Sequence, residues 1–194
     1  MRRKGFTLME LLVVIIIIII LASVTVALLN VFFRGQGCRQ GAMVVTQAVA
    51  QAKQLAADKR TVHFVVFTNQ PDGGVMRIYQ DTGTPPDKQY GVGDIELASR
   101  AFPLPKYVEF VPTMCPSWVG VEPSGYCLFS STSVGGGGFT ETPASNFEAA
   151  ITTYGGGGGI TCDILLRMQG RPFMMALDVD RAGGKVRRSH FLAQ

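Results

Sequence analysis

Glu10 stands alone as a charge between a basic tripeptide, Arg2-Arg3-Lys4, and 23 uncharged residues, Leu11 to Phe33, that include the consecutive isoleucines Ile15 to Ile20. A carboxylate in an apolar run costs roughly 2.5 to 3.5 kcal/mol at mid-membrane. It therefore acquires a cationic partner or lies close enough to an interface to reach water. Other chemistry is scarce. The chain has no Gly-x-Ser-x-Gly and no His-Glu-x-x-His, and Gly184-Lys185 fails as a phosphate loop because Val179 and Val186 occupy the required Gly and Ser/Thr positions. Two histidines, His63 and His190, and the lack of Cys-x-x-Cys argue against a metal centre. Asp178-Val179-Asp180 with Gly183-Gly184 has the look of a calcium loop, but Ala182 and Ser189 stand where an oxygen ligand and a glutamate belong. A tight turn explains the same residues, so no catalytic residue, metal or cofactor is expected, and the protein is not expected to be an enzyme.

The elements that position Glu10 follow from length. Leu11 to Phe33 as a helix measures about 35 Å at 1.5 Å per residue, against a bilayer core of about 30 Å. Such a helix satisfies its backbone internally, as hydrocarbon demands. Arg2, Arg3 and Lys4 place the N-terminus on the cytoplasmic side and the rest of the chain across the inner membrane. A secretory signal would have a shorter apolar stretch and a small-residue cleavage site, for which Ala22-Ser23-Val24 is a weak match. The helix is therefore expected to remain in the mature chain.

Lys4-Gly5-Phe6-Thr7-Leu8-Met9-Glu10, followed by about twenty apolar residues, resembles the leader of type IV pilins and of the pseudopilins of type II secretion. The resemblance implies cleavage by prepilin peptidase between Gly5 and Phe6 and methylation of the new Phe6 amine. It also gives Glu10 a partner, the positive Phe6 amine of a neighbouring subunit during assembly. A residue without Cβ at Gly5 lets a protease approach the backbone closely. Many relatives carry a proline in the apolar half of this helix; here none precedes Pro71.

Past the apolar run, Gly35, Gly37 and Gly41 predict a bend or a locally melted turn, since each helical glycine costs roughly 1 kcal/mol relative to alanine. Val45, Ala48, Val49, Ala52, Leu55 and Ala56 then recur at helical spacing and predict a face that packs on a globular head, with Asp58-Lys59-Arg60 ending the helix. Thr61 to Thr68 and Val75 to Gln80 read as a hairpin around the turn cluster Asn69 to Gly74. Tyr107 to Val111 and Tyr126 to Ser130 are strand candidates in a divergent middle. Ile160 to Met168, Phe173 to Val179 and Lys185 to Phe191 predict a three-stranded antiparallel meander. The glycine runs 135–138 and 155–159 read as flexible linkers, since no Lys-Ser or Lys-Thr follows either.

The expected organisation is a leader at 1–5, a transmembrane and polymerisation helix at 6–33, its amphipathic continuation at 34–60, and a β-rich periplasmic head at 61–194. The fold class is α+β and pilin-like, a long N-terminal transmembrane and amphipathic helix packed on an antiparallel β-sheet head. The hairpin after the helix and the closing strand-turn-strand are most similar to the GspH/FimT branch of minor pseudopilins and minor pilins. Expected partners are other pilin or pseudopilin subunits, prepilin peptidase and the inner membrane, with secretion cargo or DNA beyond them.

Four cysteines, Cys38, Cys115, Cys127 and Cys162, fit an oxidising compartment and allow three pairings. Cys115 with Cys127 is the expected bridge because it closes a short loop, which contributes about 3 kcal/mol; Cys38 is expected to stay unpaired. Of the formal charge of +4, three charges belong to Arg2, Arg3 and Lys4, and the C-terminal residues 167–194 are themselves basic. Arg181, Lys185, Arg187 and Arg188 either form a patch for DNA phosphates, as in a DNA-uptake minor pilin, or are the solvated side of a hairpin. Three classes thus compete: a structural filament subunit, a DNA-binding minor pilin, and a membrane-anchored enzyme or binding protein. Mass spectrometry of the mature protein separates the last from the others. The filament readings require an N-terminal methyl-Phe6, whereas retained Met1 or cleavage beyond Ala22 contradicts them.

Overall fold

The computed structural model describes residues 8–32, 36–83, 87–97, 101–138, 163–170 and 173–192, with the side chains of α1 described over 8–23. The chain divides into two compact units, residues 1–34 and 35–194. Helix α1, Leu8–Phe32, makes up the first among the described residues. It is apolar on every side, so it has no polar face to turn to water. Over 8–23 it measures about 24 Å, and among the described residues no helix is long and apolar enough to cross a membrane.

The second unit is the head. Helix α2, Gln36–Lys59, is followed by β1 (His63–Gln70), β2 (Gly73–Gln80), β3 (Ile95–Glu96), β4 (Phe102–Pro103), β5 (Val108–Phe110), β6 (Trp118–Val121), β7 (Cys127–Phe129), β8 (Ile164–Met168), β9 (Phe173–Val179) and β10 (Val186–Leu192). Among the described residues they form two antiparallel sheets. One has the order β3-β2-β1-β6-β7, with β4 also on β2; the other has the order β10-β9-β8-β5. Helix α2 lies against strands of both.

The amphipathic period is what seats α2. Val45, Ala48, Val49, Ala52 and Ala56 are fully buried, and Cys38 and Ala42 extend the same stripe. Their core partners are Val65, Phe67, Met76, Ile78, Val119 and Val121 of the first sheet, and Ile164, Leu166, Met175, Leu177 and Val179 of the second. Gly37 and Gly41 are helical and packed, which corrects the expected melted turn at these two positions; Gly35 lies outside the described residues. A Cβ on Gly37 would come within 2.6 Å of Met168 Cε, and one on Gly41 within 3.2 Å of Leu166 Cδ1. The glycines lower helix propensity but let the sheet approach. Arg60, with φ 53°, turns the chain out of the helix where Asp58-Lys59-Arg60 was expected to end it.

The first hairpin is longer and tighter than its sequence reading. His63 pairs with Gln80 through to Gln70 with Gly73, leaving only Pro71-Asp72 as the turn. The Asn69 side chain fixes this end by donating to the Phe110 carbonyl at 2.8 Å and accepting from the Phe110 amide at 3.0 Å. The C-terminal meander β8-β9-β10 is present, but β5 joins it as a fourth strand through Val108 with Met168 and Phe110 with Leu166. Strand β6 was not anticipated; Trp118-Val119-Gly120-Val121 is short and follows Pro116. Gly135 to Gly138 is a hydrogen-bonded turn, with the Gly135 amide donating to Pro112 O and the Gly136 amide to Ser133 O, rather than a linker. The second glycine run lies outside the described residues.

Two buried ionisable groups bear on stability. His63 is fully buried, its Nδ1 3.0 Å from the Thr61 carbonyl, and burial lowers its pKa. A depressed histidine pKa contributes stability that is present above the ordinary imidazole range and lost as pH falls. Asp163 is 6% exposed and accepts from the Val179 amide at 2.7 Å. Burial, aided by neighbouring Asp178, pushes its carboxyl up to about 6. An elevated acid pKa has the opposite effect, favouring the fold below the ordinary Asp range and costing stability as pH rises toward 6. Asp163→Asn keeps the acceptor for Val179 and removes the charge. It should raise the melting temperature by several degrees at pH 7.5, equivalent to 1–3 kcal/mol in order of magnitude, with little change at pH 4. Equal shifts at both pH values, measured by calorimetry, would contradict the assignment.

Candidate functional site

Glu10 lies in the first turn of α1, where the unpaired amides and positive end of the helix favour a carboxylate. It is exposed, and so are the side chains around it, from Leu8 at 83% to Ile15 at 48% and Leu21 at 61%. An exposed apolar area of this extent marks an interaction surface. The sequence Thr7-Leu8-Met9-Glu10 also has the Ser/Thr-x-x-Glu form of a capping box, a second local signal for a helix start beside the lone charge. Gly5, Phe6 and Thr7 lie outside the described residues.

The cysteines do not pair as expected. Cys127 sits opposite Val121 in the β6-β7 hairpin. Cys115 precedes the same hairpin at its other end, where its carbonyl accepts from the Val134 amide and Pro116 bridges Ser133. About six residues of extended chain separate the two levels, roughly 20 Å, whereas a disulfide needs Cα atoms within about 7 Å. Cys115 and Cys127 are therefore not bonded to each other. The short loop in sequence is a β-hairpin in space, and the hairpin holds its two ends apart. Cys162 lies outside the described residues. Burial pushes the thiols of Cys38 and Cys127 up to about 11, which leaves both as poor nucleophiles. Cys38 is unbridged, and its Sγ donates toward the Phe173 carbonyl at 3.6 Å.

The basic C-terminal residues are dispersed. Arg187 pairs in register with Asp178 and Arg188 with Leu177. Neighbours on a strand point to opposite faces, so Arg188 shares the face of core residue Leu177 while Arg187 shares that of an aspartate. Lys185 stands just before the strand, and its carbonyl accepts from the Asp180 amide. Arg181 is drawn elsewhere, with its guanidinium 5.5 Å from the Phe129 ring centroid and its carbonyl accepting from the Cys127 amide. Arg187 and Arg188 thus point to opposite faces of β10, and Arg181 lies over Phe129 at the edge of the other sheet. Arg167, the other cation of this sheet, is spent on Glu109. Burial raises that carboxyl, but hydrogen bonds from Gln169 and Arg167 outweigh it and hold the pKa below the usual range.

No curated protein and no solved structure matches the chain. Its N-terminus does match a known family feature, the prokaryotic N-terminal methylation motif, over residues 1–26, which takes in Gly5, Phe6, Glu10 and the isoleucine run. The match supports the chain as a type IV pilin-like substrate of prepilin peptidase.

Proposed function

We propose that this protein is a minor pseudopilin or minor pilin, a structural and non-enzymatic subunit of a type II secretion pseudopilus or a type IV pilus. The observation that carries the proposal is Glu10 in the first turn of an all-round apolar helix, within the matched methylation motif. On this reading Arg2, Arg3 and Lys4 hold the leader in the cytoplasm, and Leu11 to Phe33 crosses the inner membrane once. The head of residues 35–194 then lies on the periplasmic side. Prepilin peptidase cuts between Gly5 and Phe6, and N-methylation leaves the new amine positive. In a low-dielectric helix bundle, that amine on one subunit and Glu10 on the next neutralise each other, since an uncompensated charge there is costly.

The strand arrangement supports the GspH/FimT branch: a β1-β2 hairpin follows α2 directly, and β9 and β10 close the chain as a strand-turn-strand. A DNA-binding role through Arg181, Lys185, Arg187 and Arg188 receives less support, because those side chains are spread over two faces and a turn.

Glu10→Val tests the assembly role. The variant should be processed to a Phe6 N-terminus like the wild type, since the cleavage site is untouched. Its amount in sheared filaments should fall by about an order of magnitude, as expected for loss of an interaction worth about 1.4 kcal/mol or more. Wild-type incorporation of a correctly processed variant would overturn the proposal.

A further inference from the structure

Beyond the filament reading, the head carries an open cleft of about 660 Å³ around its edge strand β7. Tyr90, Trp118 and Tyr126 supply aromatic surface to it. Trp118 pairs with Val66, on the face opposite the core residues Val65 and Val119, so this wall looks away from α2. Its ring is set by an edge contact with Phe64, 5.0 Å between centroids; Tyr90 is held by Phe64 at 6.1 Å and Tyr79 at 4.9 Å. Tyr79 in turn donates to Glu96, itself paired with Arg77. The aromatic walls are thereby fixed before any ligand arrives, while Tyr126 remains 41% exposed.

At one end of the cleft the lining hydroxyls of Ser130 and Thr132 close a triangle with that of Ser117 behind them. Ser117 Oγ lies 2.7 Å from Ser130 Oγ and 2.8 Å from Thr132 Oγ1, and Ser130 Oγ lies 2.8 Å from Thr132 Oγ1. The Thr132 amide also donates to Ser130 Oγ at 3.0 Å. Each hydroxyl has one proton and two lone pairs, so a closed ring of three leaves acceptors on Ser117 and Thr132 and can reverse its direction. Such a group adapts to a ligand that is itself a set of hydroxyls. The charged side chains lining the cleft are Lys88, bound to Glu122 at 2.9 Å, and Arg181, which lies over Phe129. A nucleic-acid groove needs a continuous cationic track for its phosphates, and two lining cations, one of them held by Glu122, do not make one.

We propose that this cleft binds a saccharide chain, with the apolar faces of sugar rings on Trp118 and Tyr126 and sugar hydroxyls on Thr132, whose own hydroxyl is oriented by Ser117 and Ser130. Aromatic rings contribute large contact area at small entropic cost, and the hydroxyl triangle supplies orientation.

Trp118 is the only tryptophan in the chain, so its emission reports on the cleft directly. The full-length protein in detergent is titrated with cellohexaose, with a galacturonic acid hexamer and with oligo-dT. The expected result is a saturable change in Trp118 emission with at least one of the two saccharides. Tyr126→Ala and Thr132→Val should each weaken it by about tenfold while the melting temperature stays near that of the wild type. Neither saccharide changing the emission, binding unmoved in both variants, or oligo-dT binding more tightly than either saccharide would each overturn the proposal.

Discussion

The head depends on one constraint: a single helix must cover the inner faces of two sheets at once. Helix α2 meets it with small residues where it runs closest to the strands, Gly37, Gly41, Ala42, Ala48, Ala52 and Ala56, and with Val45 and Val49 where there is more room. Close seating brings Leu166 and Val108 of one sheet and Val65 and Val119 of the other into a common core. It also fixes where the sheets can end. Lys53 of α2 donates to the Gly183 carbonyl at 2.7 Å, and the Cys127 amide donates to the Arg181 carbonyl, so the β9-β10 turn is tied both to the helix and to the edge of the other sheet. A bulkier residue at Gly37 or Gly41 would push the helix from Met168 and Leu166 and loosen both sheets together.

How much of this was legible in the sequence varied with the range of the interactions involved. Helical periodicity from Val45 to Ala56 and the strands at Phe173 to Val179 and Val75 to Gln80 were readable, because each segment carries its own apolar pattern. Strands β3, β4 and β6 were not: two or four residues hold too little pattern, and their strand character comes from partners such as Tyr79 opposite Glu96 and Val65 opposite Val119. The glycines misled for the same reason. Propensity marked Gly37 and Gly41 as weak points, but the contacts that justify them come from residues over 60 positions away.

The candidate sites divide along the same line. Glu10 was legible because its anomaly is local, one carboxylate in an uncharged run. The disulfide inference failed because loop length says nothing of direction: residues close in sequence across an antiparallel hairpin are near only when they lie at equal distances from its turn, and Cys115 and Cys127 do not. The basic cluster lost its unity to the alternation of a strand, which turns Arg187 and Arg188 apart. The cleft around Trp118 was invisible for a deeper reason. Its walls come from the loop at 88–90, the hairpin β6-β7 and the turn at Arg181, none of which announces the others.

The two units pose opposite physical problems, and the contrast constrains function more than either alone. The head closes its own core: the core-facing apolar side chains of α2 and the central strands are buried without help from another chain. Helix α1 closes nothing, since every described side chain from Leu8 to Ser23 is exposed and no face is polar. A helix of this kind gains little from water and much from lipid or from other apolar helices. Packing among helices in lipid then has to come from shape and from polar pairs rather than from the hydrophobic effect. In α1 the one ionisable residue is Glu10, at the end of the helix where, on the proposed reading, a neighbour's N-terminus would bring a positive charge. On the proposed reading, a subunit whose head is complete alone and whose helix is complete only in company waits in a bilayer and leaves it for a filament without refolding. That asymmetry, more than any single residue, is what the methylation motif at residues 1–26 accompanies.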